Sequence, residues 1–118
     1  MSQFLHNWKV KNKFNNVPKR YNGRVYHSTL DADYARVLDL LKKSGELNVV
    51  EAQPKFKLLV NGRFIKNIIP DFYIVDKDGL ECIHEVKGKE TPEWRIKWEL
   101  MQALYPQYNY QVIKKGDF

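Results

Sequence analysis

Cysteine is almost missing from this chain: Cys82 is the only one among 118 residues. An intrachain disulfide and a thiolate zinc cluster are therefore excluded. That scarcity fits a reducing, cytoplasmic setting, with Cys82 read as a small buried apolar residue in a strand. Long apolar runs are missing as well. No stretch approaches the roughly 18 residues that cross a bilayer, and the start, Met-Ser-Gln-Phe-Leu-His, lacks the charged-then-apolar layout of a signal peptide. No membrane partner is expected. The three histidines, His6, His27 and His84, lie far apart without metal-ligand spacing, which argues against an HNH or zinc nuclease and leaves them as surface or packed residues. A glycine-rich phosphate loop and a Ser/His/Asp arrangement with a nucleophile turn are both lacking, so those hydrolase and nucleotidase classes drop out.

Acidic residues are absent from the first 24 positions, where Lys9, Lys11, Lys13, Lys19, Arg20 and Arg24 lie. These six account for the net charge of +6, because the rest of the chain holds 14 basic and 14 acidic residues. Interleaved with Phe4, Trp8, Phe14 and Tyr21, they form a basic aromatic arm over 1–24 that can neutralise phosphates and stack on bases. Residues 25–118 read as one domain, since 43% hydrophobic and 14% aromatic content suffices for a single core. Neither an internal repeat nor a low-complexity tract interrupts it; the Asn-rich stretch 12–22 is the nearest thing to a linker.

Ser28 is a candidate N-cap, and Leu30, Tyr34, Val37, Leu38 and Leu41 recur at helical spacing until Ser44-Gly45, so a helix is predicted over 29–43. The segment from Val49 to Val60 is apolar and ends in Asn61-Gly62, a dipeptide favoured in tight hairpins, with a strand returning over 63–68. Pro70 marks a strand start, edge or bulge before Phe72-Tyr73-Ile74-Val75, and Asp78-Gly79 reads as a turn into a strand over 80–87. After Gly88, Thr91-Pro92-Glu93 carries the features of a helix start. Trp94, Trp98, Met101 and Leu104 to Tyr105 form its apolar stripe, read as helix core rather than a base-stacking platform, and Pro106 ends it before a last strand over 108–115. The expected core order is helix, three strands, helix, strand, an α/β or α+β arrangement.

Strand alternation puts Glu85 and Lys87 on one face. If Asp78 and Gly79 are the two turn residues, Lys77 pairs with Leu80 and Asp71 falls opposite Val86, between Glu85 and Lys87. Two carboxylates held together repel unless a cation lies between them, and hard oxygen ligands suit magnesium or manganese. A neighbouring lysine supplies positive charge where an attacked phosphate gathers negative charge, or positions the attacking water.

Pro70-Asp71, with Glu85-Val86-Lys87 after thirteen intervening residues, resembles the defining motif of the PD-(D/E)XK nuclease superfamily. Tyr26-His27-Ser28-Thr29-Leu30-Asp31-Ala32, Gln53-Pro54-Lys55-Phe56, Val86-Lys87-Gly88 and Thr91-Pro92 are similar to its small phage endonuclease branch, which includes proteins like Holliday-junction resolvases. The resemblance implies a restriction-endonuclease-like core with a mixed central sheet flanked by helices. It implies a metal held by Asp71, Glu85 and the Val86 carbonyl, with Lys87 acting on water or phosphate. The branch usually carries glutamate on its first helix where this chain has the shorter Asp31, which would reach a metal through water or ligate a second one. Gln53 is expected near the site, and Arg95 and Lys97 on the second helix are expected phosphate contacts. The activity implied is that of a magnesium-dependent DNA endonuclease of phage or prophage type, acting on branched or other non-duplex DNA as a homodimer. The alternative is a non-catalytic nucleic-acid-binding module that works through the basic arm.

Overall fold

In the computed structural model, residues 19–21, 23–26 and 28–118 are described. Lys9, Lys11 and Lys13 of the expected arm lie outside them, as do Phe4, Trp8, Phe14, His6, His27 and the side chain of Lys19. The elements run β1 (Lys19–Tyr21), β2 (Arg24–Tyr26), α1 (Thr29–Lys43), β3 (Leu47–Ala52), β4 (Phe56–Val60), β5 (Arg63–Ile68), β6 (Phe72–Asp76), β7 (Glu81–Val86), α2 (Pro92–Leu104) and β8 (Asn109–Ile113). The fold is a mixed α+β one. Its central sheet has the order β3-β6-β7-β8, antiparallel except for the β7–β8 pair, which α2 connects as a crossover.

Both helices begin where their capping residues stand. The Ser28 hydroxyl accepts from the Asp31 amide at 3.2 Å, and the Thr91 hydroxyl accepts from the Trp94 amide at 3.2 Å, with Pro92 in the first turn. The core packs α1 on one sheet face: Ala32, Tyr34, Ala35 and Leu38 meet Phe72, Ile74, Val86 and Ile113. Because successive strand residues alternate faces, Asp71, Ile83 and Glu85 belong to the opposite face, toward α2, where Ile83 and Met101 are buried. Among the described residues, no helix is long and apolar enough to cross a membrane.

Three differences from the sequence expectation bear on the site. The apolar segment from Val49 to Val60 is two strands, because Gln53 adopts a left-handed φ of 55° and Pro54 lacks an amide donor. β3 therefore pairs with β6, and β4 pairs with β5 around Asn61-Gly62 as a separate hairpin. Between α1 and α2 the chain thus forms five strands rather than the three expected, and of these β3, β6 and β7 belong to the central sheet. Second, Lys19, Arg20, Tyr21 and Arg24, read as part of the arm, belong to the paired strands β1 and β2, and Tyr21 and Tyr26 pack on the core.

The third difference is a register shift of one. The turn between β6 and β7 holds three residues, not two: the Asp76 amide donates to the Leu80 carbonyl at 3.0 Å, and Gly79 takes a left-handed φ of 87°. The Asp76 carboxylate fixes this longer turn by accepting from the amides of Asp78 and Leu80, both at 2.9 Å. Phe72 consequently pairs with His84. Asp71 is thus opposite Glu85 itself rather than Val86.

Candidate active site

Two residues directly opposite on antiparallel strands project to the same face, so the corrected register brings the Asp71 and Glu85 side chains together. They also clasp each other's backbone. The Asp71 amide donates to Glu85 Oε1 at 3.0 Å, and the Val86 amide donates to Asp71 Oδ2 at 2.7 Å. Gln53 closes the other side, its amide donating to the Asp71 carbonyl at 2.8 Å. The start of β6 is therefore tied to β7 and to the end of β3.

Asp31 arrives from the first turn of α1. Its carboxylate, like those of Asp71 and Glu85, is nearly excluded from solvent, with exposures of 3%, 5% and 3% respectively. Burial, and then the Glu85 charge, push Asp31 up to about 7. Asp71 is pushed well above the usual carboxylate range by burial and by the charges of Glu85 and Asp31. Glu85 is raised by burial, against the opposing pull of Lys87 and the Trp94 and Asp71 hydrogen bonds. Lys87 is close enough to lower all three. Its own position is fixed twice: the Lys87 amide donates to the Ile113 carbonyl of β8 at 2.9 Å, and its ammonium lies 5.3 Å from the Trp94 ring centroid.

The structure thus brings together Asp31, Asp71, Glu85 and Lys87. Gln53 reaches this group through its backbone; its side chain accepts from Arg24 Nη1 at 3.0 Å, which sets that guanidinium at the rim. The Val86 side chain is buried on the α1 side, and its amide serves Asp71. Arg20 is exposed on β1. Arg95, an expected phosphate contact, is exposed on α2 and pairs with Glu90 at 2.9 Å, and Lys114 pairs with the same carboxylate at 2.7 Å. Lys97 is depressed by partial burial and by the neighbouring Lys66 and Lys87.

Sequence reasoning missed Trp94 as a site residue. Its indole Nε1 donates to Glu85 Oε2 at 2.9 Å, while its ring stacks on Trp98 at 5.5 Å. The reading as helix core holds for Met101, which is fully buried, but the two tryptophans are half-exposed. The signal available was the Thr91-Pro92 cap, which fixes α2 so that its first turn faces the end of β7. Trp94→Phe keeps the ring and removes the donor, leaving a buried carboxylate oxygen short of one partner. Urea denaturation is expected to show a loss of about 1–3 kcal/mol; an unchanged midpoint would mean that water replaces the indole.

Among the described residues, no three His, Cys, Asp or Glu side chains stand ready-made as a metal cage. The donor chemistry nevertheless fits a hard cation. Three carboxylates withdrawn from water repel one another, and relief comes from protons or from a divalent ion. Each carboxylate oxygen has two lone pairs, so Glu85 and Asp71 can keep their N–H donors and still ligate. No curated protein and no solved structure matches the chain. One family model matches residues 11–117, and the chain accordingly belongs to the family described as protein of unknown function (DUF1064).

Proposed function

We propose that this protein is a divalent-cation-dependent DNA endonuclease of phage or prophage type, working in the cytoplasm on branched or otherwise non-duplex DNA. The observation that carries the reading is the pair Asp71 and Glu85, buried side by side across the β6–β7 ladder with Lys87 at the strand end. Magnesium, with manganese as substitute, is the cation these donors suit, and Asp71, Glu85 and the Val86 carbonyl would hold it. When bound, it would supply counter-charge and polarise a phosphodiester oxygen.

The chain's own residues account for the remaining roles. Lys87 holds an ammonium beside the acidic group, where an attacked phosphate gathers charge or an attacking water must be oriented. Trp94 keeps Glu85 from rotating and lies under Lys87. Asp31, with its pKa near 7, can hold or release a proton at neutral pH. Arg24, gripped by Gln53, offers a phosphate contact at the rim. A homodimer belongs to the proposal, since one site per chain cuts two strands only in pairs or in succession. The exposed Ile96 and Leu100 of α2 are apolar surface available for pairing, and sedimentation velocity should give twice the chain mass.

The decisive assay incubates supercoiled, single-stranded and four-way-junction DNA with the protein in magnesium, manganese or chelator. Cleavage is expected with either metal and none with chelator. DNA binding without any cleavage would favour the non-catalytic nucleic-acid-binding module. Deletion of the N-terminal segment should stop at residue 18, because β1 and β2 pair with each other and contact α1. That deletion removes Lys9, Lys11 and Lys13, and is expected to weaken DNA binding and to lower the slope of log K against log salt by about 3. An unchanged slope would take phosphate contact away from the arm.

A further inference from the structure

Beyond the acidic group, the described residues bring a second set of basic side chains together, on residues remote in sequence. In the β4–β5 hairpin, Lys66 pairs with Leu58 and Ile68 pairs with Phe56, so all four side chains share one face. That face is turned to α2. Leu58 is buried, the Phe56 ring meets the Tyr105 ring edge-on at 5.3 Å, and the Tyr105 hydroxyl donates to the Lys57 carbonyl at 2.6 Å. Lys97 lies on α2 one residue before Trp98 and one turn after Trp94, the residue that touches Glu85 and underlies Lys87. With Lys66 on the hairpin face turned to α2, partial burial, the Lys66 side chain and the Lys87 charge together hold the Lys97 ammonium below its ordinary range.

Two ammonium groups held together repel. The Glu93 charge partly offsets this at Lys97. Such an arrangement is unfavourable for the protein alone and favourable once an anion bridges the pair. Lys87 lies over Trp94, and Lys97, on which Lys66 acts, follows Trp94 by one turn of α2.

We infer that Lys66 and Lys97 form a phosphate clamp, which joins the β4–β5 hairpin to α2 and grips the DNA backbone at a phosphate other than the one attacked. This assignment deepens the nuclease reading and rests on it for the choice of DNA as ligand. The hairpin is thereby a substrate-binding arm, not a decoration of the sheet.

The test measures binding of the full chain to a fluorescein-labelled four-way junction and to a matching duplex by anisotropy, in chelator so that nothing is cut. Lys66→Ala and Lys97→Ala are each expected to weaken binding about tenfold and to lower the salt slope by about one. Lys77→Ala, a lysine paired instead with Glu46, serves as the control and should bind as wild type. Thermal melting checks folding: either substitution removes a repulsion, so Tm should hold or rise. Affinity and slope within twofold of wild type for both variants would overturn the clamp, even if the wild type cleaves DNA. Weakened binding in both, with no cleavage by the wild type in magnesium, would keep the clamp and remove the nuclease. A wild type that binds neither DNA overturns both.

Discussion

Asp71→Asn and Lys87→Ala should each lower DNA cleavage by about a thousand-fold or more in saturating magnesium, the scale seen when a charge-stabilising group is taken from a hydrolytic site. The two substitutions fail for different reasons. Asparagine at 71 keeps an acceptor for the Val86 amide, now 2.7 Å away, so β6 and β7 stay clasped. What is lost is the negative charge that would hold the cation. Alanine at 87 leaves the carboxylates in place and removes the nearest cation that acts on them. Asp31→Asn should cost less, about ten- to a hundredfold, if its part is to hold a proton rather than to ligate. The rates are measured on the junction substrate under single-turnover conditions, with melting curves for each variant. Cleavage that survives both Asp71→Asn and Lys87→Ala would move the active site elsewhere.

The same residues should carry an opposite effect on stability. In chelator at pH 8, Asp71→Asn is expected to melt about 5 °C or more above the wild type, because a buried carboxyl whose ionised form is disfavoured beside two others gives way to a neutral amide that keeps the hydrogen bond. Lys87→Ala should melt lower, since the carboxylates lose their compensating charge. Saturating magnesium should then raise wild-type Tm and leave Asp71→Asn nearly unmoved. Equal melting of wild type and Asp71→Asn in chelator would mean that the acidic group is already neutral at pH 8.

Proton linkage gives the pH dependence its sign. Asp31 has a folded-state pKa of about 7, above its ordinary 3.8, so it favours the folded state at low pH and that contribution is lost as pH rises through 7. Asp71 and Glu85 act in the same direction. His84 acts in the opposite one: burial against Tyr34, whose hydroxyl lies 2.7 Å from Nδ1, lowers it from 6.5 to about 4. Its contribution is full above 6.5 and is lost as pH falls through 4. Asp31 should therefore add about 1 kcal/mol to metal-free stability between pH 8 and pH 6, with His84 opposing it below about pH 6.5 so that the net profile levels off there. Magnesium should flatten the upper part of that profile.

Much of this protein arises from local chemistry that a sequence displays. Ser28 and Thr91 cap their helices because a hydroxyl next to a free amide needs no tertiary partner. Asn61-Gly62 turns a hairpin because both residues tolerate left-handed φ, here 51° and 78°. The meeting of Asp71, Glu85 and Lys87 was legible for the same reason: one short turn and the two-residue alternation of strands fix it within a residue. That single residue was decided by the Asp76 carboxylate, which favours a three-residue turn.

The rest required the folded chain, because it joins residues far apart in sequence whose closeness no local preference encodes. Gln53, at a left-handed φ, breaks one apolar run into two strands that part company, and the pairing of β3 with β6 is settled by core burial, not by any signal in either segment. Asp31 reaches the carboxylates, Trp94 reaches Glu85, and Lys66 meets Lys97 only once α1, α2 and the β4–β5 hairpin have packed. Sequence alone showed which acid pair and lysine come together; tertiary structure decided how deeply the two acids are buried, and burial sets their protonation and the stability cost of their charge.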